Sequence, residues 1–173
     1  MKKTGIIVLM AIFFFSCNCE KKSEIKFVVS VEKDSINNVL NSWHLNAAET
    51  NFDAYFGAMT NESVFVGTDA AEVWNIRQFK EFSKPYFDKG KAWSFTSIDR
   101  NVYLNSDGKI AWFDELLDTW MGVCRGSGVL KKGNSTWKIE HYVLSVTVPN
   151  DNIYEVMKVN KVRDSLFLKN YRK

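Results

Sequence analysis

The sequence predicts an α+β protein, because helical hydrophobic spacing fills its first half and strand-like spacing fills its second. Between residues 34 and 87, apolar side chains recur at helical intervals. From Trp93 to Val148, β-branched and aromatic residues dominate four runs that short polar segments separate. Helices segregated from an antiparallel meander are typical of this class. Three of the runs are longer than ten residues, and strands of that length usually curl or bulge, so we expect a curved sheet.

Three helices are predicted ahead of the long strands. The first begins at Asp34 or Ser35 and carries one apolar stripe, formed by Ile36, Val39, Leu40, Trp43 and Ala47. The second spans residues 52–59, and a short strand follows at 63–66. The third begins at Asp69, whose spacing to Glu72 is that of a capping box, and it ends or bends near Pro85.

The four runs predict an antiparallel meander with three hairpin connections. The predicted strands are residues 93–104, 110–120, 123–130 and 137–148, and the connections are 105–108, 121–122 and 132–135. Gly126 and Gly128 lie two apart on one face, where they indicate a bend or a helix packed close against bare backbone. A last amphipathic helix starts with a cap at Asn152 and Glu155 and runs to about Phe167.

Composition indicates one globular domain without affinity for nucleic acid. The chain has 173 residues, 46% of them hydrophobic and 25% charged, which is not the profile of a disordered protein. Aromatic residues make up 14% of the chain, which suggests a thick core or an aromatic-lined pocket. The net charge is +3, of which Lys2 and Lys3 supply two, so no basic surface for nucleic acid is expected.

The amino terminus has the pattern of a secretory signal. Lys2 and Lys3 precede an uncharged segment, Gly5–Phe15, that is too short to span a bilayer as a helix. The Phe-Phe-Ser-Cys sequence ending at Cys17 resembles a bacterial lipoprotein signal. The resemblance implies that Cys17 is acylated and that residues 18–30 are a tether. It also implies a lipid anchor in the bacterial cell envelope, on the periplasmic side or in the outer membrane. Cys19 is a competing acceptor, and an ordinary secreted leader is the alternative.

The globular part resembles the SnoaL-like branch of the nuclear transport factor 2-like superfamily. The resemblance covers Ile36 to Asn150 and rests on the segments Val64–Asp69 with Trp74, Ala111–Glu115, Arg125–Leu130, Trp137–Ile139 and Pro149-Asn150. It implies a cone-shaped half-barrel, in which a strongly curved antiparallel sheet wraps around the N-terminal helices. It also implies a pocket at the wide end and homodimers formed through the sheet.

The expected domain organisation follows from these two resemblances. Residues 1–17 are the signal peptide, 18–30 the tether, 31–150 the SnoaL-like domain, and 151–173 the C-terminal helix and tail. Small-molecule binding, isomerisation and dehydration all occur on this fold, so the fold itself does not determine the function.

The predicted site depends on the register of the last three strands. A turn at Met121-Gly122 places Asp118 opposite Arg125, and a turn at Gly133-Asn134 places Arg125 opposite Tyr142. One face then carries Trp112, Asp114, Asp118, Arg125, Ser127, Glu140 and Tyr142, and a slip of one residue would exchange the faces. The predicted ligand pocket is formed by Trp43, Phe56, Trp74, Trp112, Asp114, Arg125 and Tyr142.

Candidate catalytic residues are Asp114, Arg125, Tyr142 and His141. A carboxylate or imidazole base beside an apolar cavity, with a phenol or guanidinium facing the developing oxyanion, suits proton-transfer chemistry. The structural alternative is an Asp118–Arg125 ion pair on a solvated face. His44 and His141 are the only histidines, and no metal site or cofactor is expected.

Three functions therefore stay open. The first is a membrane-tethered, non-catalytic domain that binds a hydrophobic small molecule. The second is an isomerase, dehydratase or cyclase acting on a hydrophobic carbonyl compound by acid–base catalysis. The third is a homodimeric protein-interaction module.

Overall fold

The structure, a computed structural model, describes residues 17–134 and 136–172, with side-chain surroundings from Val28 onward. The predicted signal peptide and the side chain of Cys17 lie outside this part of the chain. The elements in order are α1 (Cys17–Ala48), α2 (Phe52–Gly57), β1 (Met59–Val66), β2 (Val73–Asn75), α3 (Ile76–Asp88), β3 (Thr96–Leu104), β4 (Ile110–Thr119), β5 (Gly122–Lys132), β6 (Trp137–Val146), a short 3-10 helix (Asn150–Asn152) and α4 (Ile153–Leu168).

The six strands form one open, curved sheet in the order β2-β1-β6-β5-β4-β3. Every neighbouring pair is antiparallel except β1 and β6, which run parallel. Buried side chains alternate with exposed ones along β4 and β5, so one face of the sheet is covered and the other is open to solvent. The predicted α+β fold, with a curved sheet around N-terminal helices, is confirmed.

The helix α1 crosses the covered face and supplies its central side chains. Ile36, Leu40, Trp43 and Ala47 are at most 1% exposed, as their stripe predicts. The helix begins at Cys17, well before the predicted start at Asp34 or Ser35. No glycine or proline occurs between Cys17 and Ala48, so nothing in the backbone stops the helix from extending through the predicted tether.

The helix α3 begins seven residues later than the predicted capping box at Asp69. Asp69 Oδ1 does accept a hydrogen bond from the Ala71 amide at 2.9 Å, and Glu72 Oε2 accepts one from the Asp69 amide at 3.1 Å. These bonds close a turn, because the next residues join the sheet as β2, where Trp74 pairs with Phe65. The capping box that starts α3 is formed instead by Asn75 and Gln78.

The remaining helices differ in smaller ways from the predictions. Asn51 caps α2, which ends at Gly57, so Met59 belongs to β1 and not to the helix. Pro85 lies inside α3, which continues to Asp88. The helix α4 matches the predicted range, but Asn152 makes no side-chain cap and α4 has no buried residue. Its apolar side chains point in all directions, so it is not amphipathic.

The β4–β5 hairpin differs from the prediction in register. Trp120 and Met121 form the two-residue loop, because Thr119 pairs with Gly122. The Thr119 hydroxyl accepts from the Met121 amide at 3.0 Å, and Gly122 has a positive φ of 88° that a glycine tolerates without strain. Asp118 consequently lies opposite Val123, and the predicted Asp118–Arg125 pairing is wrong.

The β5–β6 pair also departs from the predicted register. Its pairing shifts between Val129 and Leu130, where Val129 lies opposite His141 but Leu130 lies opposite Ile139, so Glu140 is an extra residue in β6. Such a bulge reverses the alternation of faces beyond it. Arg125 therefore lies opposite Ser145, and the predicted Arg125–Tyr142 pairing is wrong. Within the described part of the chain, no helix has the length and hydropathy needed to cross a membrane.

Candidate functional site

A buried polar cluster lies inside the cone, centred on Glu115 of β4. Glu115 is 1% exposed and both its oxygens are engaged. Its Oε1 accepts a hydrogen bond from the Tyr142 hydroxyl at 3.0 Å and lies 2.9 Å from His44 Nε2. Its Oε2 accepts from Arg100 Nε at 2.9 Å and lies 2.7 Å from Nη2 of the same guanidinium. The four groups come from α1, β3, β4 and β6, so the cluster ties the helix to three strands.

The electrostatics of this cluster favour an ionised carboxylate. Burial by itself would raise the pKa of Glu115, but the bonds and charges of His44 and Arg100 outweigh it and leave the pKa below its ordinary value. Burial first, and the Glu115 charge second, raise the pKa of Tyr142 well above its ordinary value. Tyr142 therefore stays a neutral donor to a charged acceptor.

Gly126 provides the space that the cluster needs. It lies directly opposite Glu115 in the β4–β5 ladder. A Cβ atom at this position would lie 2.3 Å from the Tyr142 hydroxyl oxygen and 2.9 Å from Glu115 Oε1. The contact with the cluster explains this glycine, and the groups that approach it are side chains of β4 and β6 and not the predicted helix.

The structure also contains a separate pocket of about 160 Å³. It lies between α3, the segment before β3 and the β4–β5 hairpin. Most of its lining is aromatic or apolar: Phe65, Trp74, Phe79, Phe82, Trp93, Phe95, Trp120, Met121 and Leu144. Gly67, Thr68 and Glu72 complete the lining.

Two rings connect the pocket to the polar cluster. The Phe65 ring stacks on Tyr142 with a centroid distance of 5.4 Å, and the Phe95 ring lies 6.3 Å from the His44 ring. His44, Glu115 and Tyr142 are not part of the pocket lining. The cluster therefore lies behind an aromatic wall of the pocket.

The structure separates the predicted pocket residues into three groups. Trp74 lines the pocket. Trp43, Phe56 and Tyr142 are at most 5% exposed and belong to the core, where Trp43 stacks on Tyr55. Trp112, Asp114 and Arg125 lie on the open face of the sheet, because the alternation of β4 and β5 turns them away from the core.

Tyr142 therefore does not share a face with Asp114 and Arg125, contrary to the predicted assignment. The bulge at Glu140 moves Tyr142 to the covered face and leaves His141 half-buried beside it. Asp114 Oδ1 accepts from the Asn101 amide group at 3.3 Å, and Trp112 stacks on Tyr103. The catalytic and binding roles of Asp114, Arg125, Tyr142 and His141 stay predictions.

Sequence reasoning did not single out Glu115 and Arg100 as site residues. A signal for Glu115 exists, because it occupies one place in the alternating series Ala111, Phe113, Glu115 and Leu117, all of which are buried. A carboxylate on an apolar face requires partners. No comparable pattern marks Arg100, which lies on the more exposed β3.

No group of three or more metal-ligating side chains occurs within residues 28–134 and 136–172. Cys124, the cysteine described as free, is fully buried in β5. It behaves as a small apolar residue in the core.

Comparison with known proteins identifies the domain. The SnoaL-like domain family matches residues 36–149. A nuclear transport factor 2-like protein of unknown function from Pseudomonas putida KT2440 superposes with a TM-score of 0.58 at 11% identity, covering 72% of this chain and 92% of the other. No curated relative matches the sequence.

Two further solved structures share the fold. A candidate scytalone dehydratase from Novosphingobium aromaticivorans DSM 12444 has a TM-score of 0.59 at 9% identity, covering 71% of this chain and 89% of that one. A candidate calcium/calmodulin-dependent protein kinase II association domain from Xanthomonas campestris has a TM-score of 0.50 at 18% identity, covering 65% and 85%. At these identities the likeness concerns the fold alone.

Proposed function

The chain belongs to the SnoaL-like domain family, and from that membership we propose that it binds a small hydrophobic molecule in the aromatic pocket without transforming it. The observation that carries this proposal is the composition of the pocket wall. Seven rings line it, and Glu72 is its one acidic or basic residue among those described. A dry apolar cavity of about 150 Å³ holds a benzene ring, so a ligand with a single ring fits this pocket.

The polar cluster supports a binding function over a catalytic one. A general base needs a free lone pair and a pKa close to the working pH. Both oxygens of Glu115 are already engaged, its side chain is inaccessible, and its pKa is lowered. The cluster is therefore best explained as a buried set of hydrogen bonds that holds α1 against the sheet.

The binding proposal is tested with indole, followed by titration calorimetry and by the shift in unfolding temperature. Wild-type protein should bind indole, and Trp74→Ala should weaken binding, because Trp74 stacks on both Phe79 and Phe82 in the pocket. Trp112→Ala is the matched control, since Trp112 lies on the open face. Equal losses in both variants, or no binding by wild type, would contradict the proposal.

An isomerase, dehydratase or cyclase is the second proposal, and one observation favours it. His44, Glu115 and Tyr142 are linked by hydrogen bonds, and the Phe95 ring beside His44 also lines the pocket. A shift of that ring would expose an imidazole–carboxylate pair to the ligand. Exchange of α-hydrogens of small aromatic ketones for deuterium, catalysed by wild type and abolished in His44→Gln, would support this function over simple binding.

A homodimeric interaction module is the third proposal. Tyr103 and Trp112 stack at 5.9 Å on the open face of the sheet and are 44% and 46% exposed. Large aromatic side chains at this exposure are enriched in protein interfaces. This face would serve the dimer while the aromatic pocket stays open.

We further propose that Cys17 carries the lipid that anchors the domain in the bacterial envelope. The support is the signal-like segment that precedes it. Metabolic labelling with a fatty acid, in cells that express the full chain, tests this directly. Label should be lost in Cys17→Ser and kept in Cys19→Ser, and the reverse result would move the anchor to Cys19.

A further inference from the structure

The carboxylate of Glu72 is held at the aromatic pocket by the local backbone. Its Oε2 accepts the Asp69 amide at 3.1 Å. The same oxygen would lie 2.3 Å from a Cβ at position 67, so the side chain folds closely against the bare backbone of Gly67. Gly67 and Glu72 both line the pocket. The carboxylate is therefore a fixed part of the wall and does not extend freely into solvent.

This carboxylate has no basic partner in the part of the chain that the structure describes. None of the ion pairs within 4 Å includes Glu72. No lysine, arginine or histidine is among the residues that line the pocket. Lys91 lies outside this pocket and lines the adjoining surface depression beside Trp93 and Trp120. The pocket thus carries a negative charge that nothing within it compensates.

The remaining wall is suited to an organic cation. Three of the six tryptophans of the chain, Trp74, Trp93 and Trp120, line this one pocket. The faces of aromatic rings attract ammonium groups, tryptophan most strongly, and alkylated ammonium ions are recognised by cages of such rings. A neutral apolar ligand would gain binding free energy from contact with the rings. Its binding would also remove water from the Glu72 carboxylate, which is unfavourable.

We propose that the ligand of this pocket is an alkylated ammonium ion, whose positive charge meets Glu72 and whose apolar substituents contact the rings. The proposal rests on the proposed binding function and names the chemical class of its ligand. A trimethylammonium group is compact enough for a pocket of about 160 Å³.

Choline and its uncharged carbon analogue, in which a tert-butyl group replaces trimethylammonium, form the decisive pair of probes. They have nearly the same shape, so the difference in their affinities isolates the charge. We expect wild type to bind choline roughly tenfold more tightly at low ionic strength. Added salt should reduce this difference in affinity, because part of it comes from the partly exposed Glu72 carboxylate.

Glu72→Gln should reduce the preference for choline several-fold, to the part that the aromatic rings supply. The hydrogen bond from the Asp69 amide should be kept, since the glutamine carbonyl can accept it. Asp69→Asn is the matched control: it removes a neighbouring charge that does not line this pocket and retains the cap to the Ala71 amide. It should keep the preference. Circular dichroism and the unfolding temperature confirm that both variants fold.

The possible outcomes separate this inference from the function on which it rests. Equal affinity of wild type for the two probes would overturn the cationic ligand and leave a neutral apolar pocket intact. An undiminished preference in Glu72→Gln would also overturn it, because the Glu72 carboxylate would then contribute nothing to recognition of the cation. Failure of wild type to bind choline, its analogue and indole would overturn both proposals together.

Discussion

Tyr142 donates its phenolic hydrogen to Glu115 across the bare backbone of Gly126, so one hydrogen bond joins two strands that are not neighbours in the sheet. Glu115 belongs to β4 and Tyr142 to β6, and β5 runs between them. The bond passes over β5 at Gly126, where that strand has no side chain. The interior of the cone is consequently fastened across three strands by side chains as well as by the backbone ladder.

Gly126→Ala should destabilise the protein strongly. Its Cβ would lie 2.3 Å from the Tyr142 oxygen, so the phenol must move and the hydrogen bond to Glu115 is lost. We expect a loss of about 3 kcal/mol in the free energy of unfolding, from overpacking and an unsatisfied buried group. Urea denaturation measures it. Gly57→Ala is the control, because nothing lies within 4 Å of its Cβ position, and a similar loss there would contradict the explanation.

Glu115→Gln should cost about 3 kcal/mol of stability at neutral pH, because it leaves the Arg100 charge buried without its partner. The folded-state pKa of Glu115 lies below its ordinary value of 4.5. Its contribution is thus complete above pH 4.5 and declines as the pH falls through the lowered pKa, since the unfolded state takes up the proton first.

Unfolding curves at a series of pH values test this dependence. The difference in stability between wild type and Glu115→Gln should be constant near neutrality and shrink in acid. Asp114→Asn, an adjacent carboxylate on the open face, should change stability by no more than about 0.5 kcal/mol. A difference for Glu115→Gln that grows in acid would show that the carboxylate is not ionised in the folded state.

Tyr55 and Tyr142 should resist ionisation until the protein unfolds. Burial raises the pKa of both phenols well above the ordinary value of 10.0. Above that pH the unfolded state loses these protons while the folded state keeps them, so stability falls as the pH rises. Phenolate absorbance and circular dichroism, recorded together, should show a late rise in absorbance that coincides with unfolding. Tyr142→Phe should halve that rise, and titration of all six tyrosines in the folded protein would refute the prediction.

Trp112→Glu should convert a dimer into a monomer if the open face of the sheet is the interface. A charge placed in the Tyr103–Trp112 stack would be buried without a partner on association. Sedimentation equilibrium over a range of protein concentrations measures the state of assembly. Tyr154→Glu is the control, an exposed aromatic on α4. A wild type that stays monomeric throughout would reject the interface.

Local patterns in the sequence were sufficient for the class of fold but not for the composition of the site. The stripe on α1 and the ranges of β3 to β6 follow from periodicity, which depends only on neighbouring residues. Which residues face each other depends on where each turn closes. The Thr119 hydroxyl and the positive φ of Gly122 place the β4–β5 turn one residue earlier than its composition suggests.

The start of α3 likewise could not be predicted from the local sequence. Two capping sequences lie six residues apart, at Asp69 and at Asn75, and each forms hydrogen bonds between its side chains and the local backbone. The choice between them is made by β1, which pairs with Val73–Asn75 and draws that segment into the sheet. Such a choice depends on residues distant in sequence. The pairing of Glu115 with His44, 71 positions away, is beyond local reasoning for the same reason.

The extra residue at Glu140 gives β6 two halves of opposite parity. Odd-numbered Trp137 and Ile139 point inward before it, and even-numbered Tyr142 and Leu144 point inward after it. The parallel neighbour β1 loses its regular register at the same level, between Met59 and Val64. The two irregularities together form a crease across the sheet, at which the wall of the cone turns. Because Glu140 is the extra residue, its deletion would remove the crease itself, while the pairing of β6 with β5 and the inward position of Tyr142 would stay as they are.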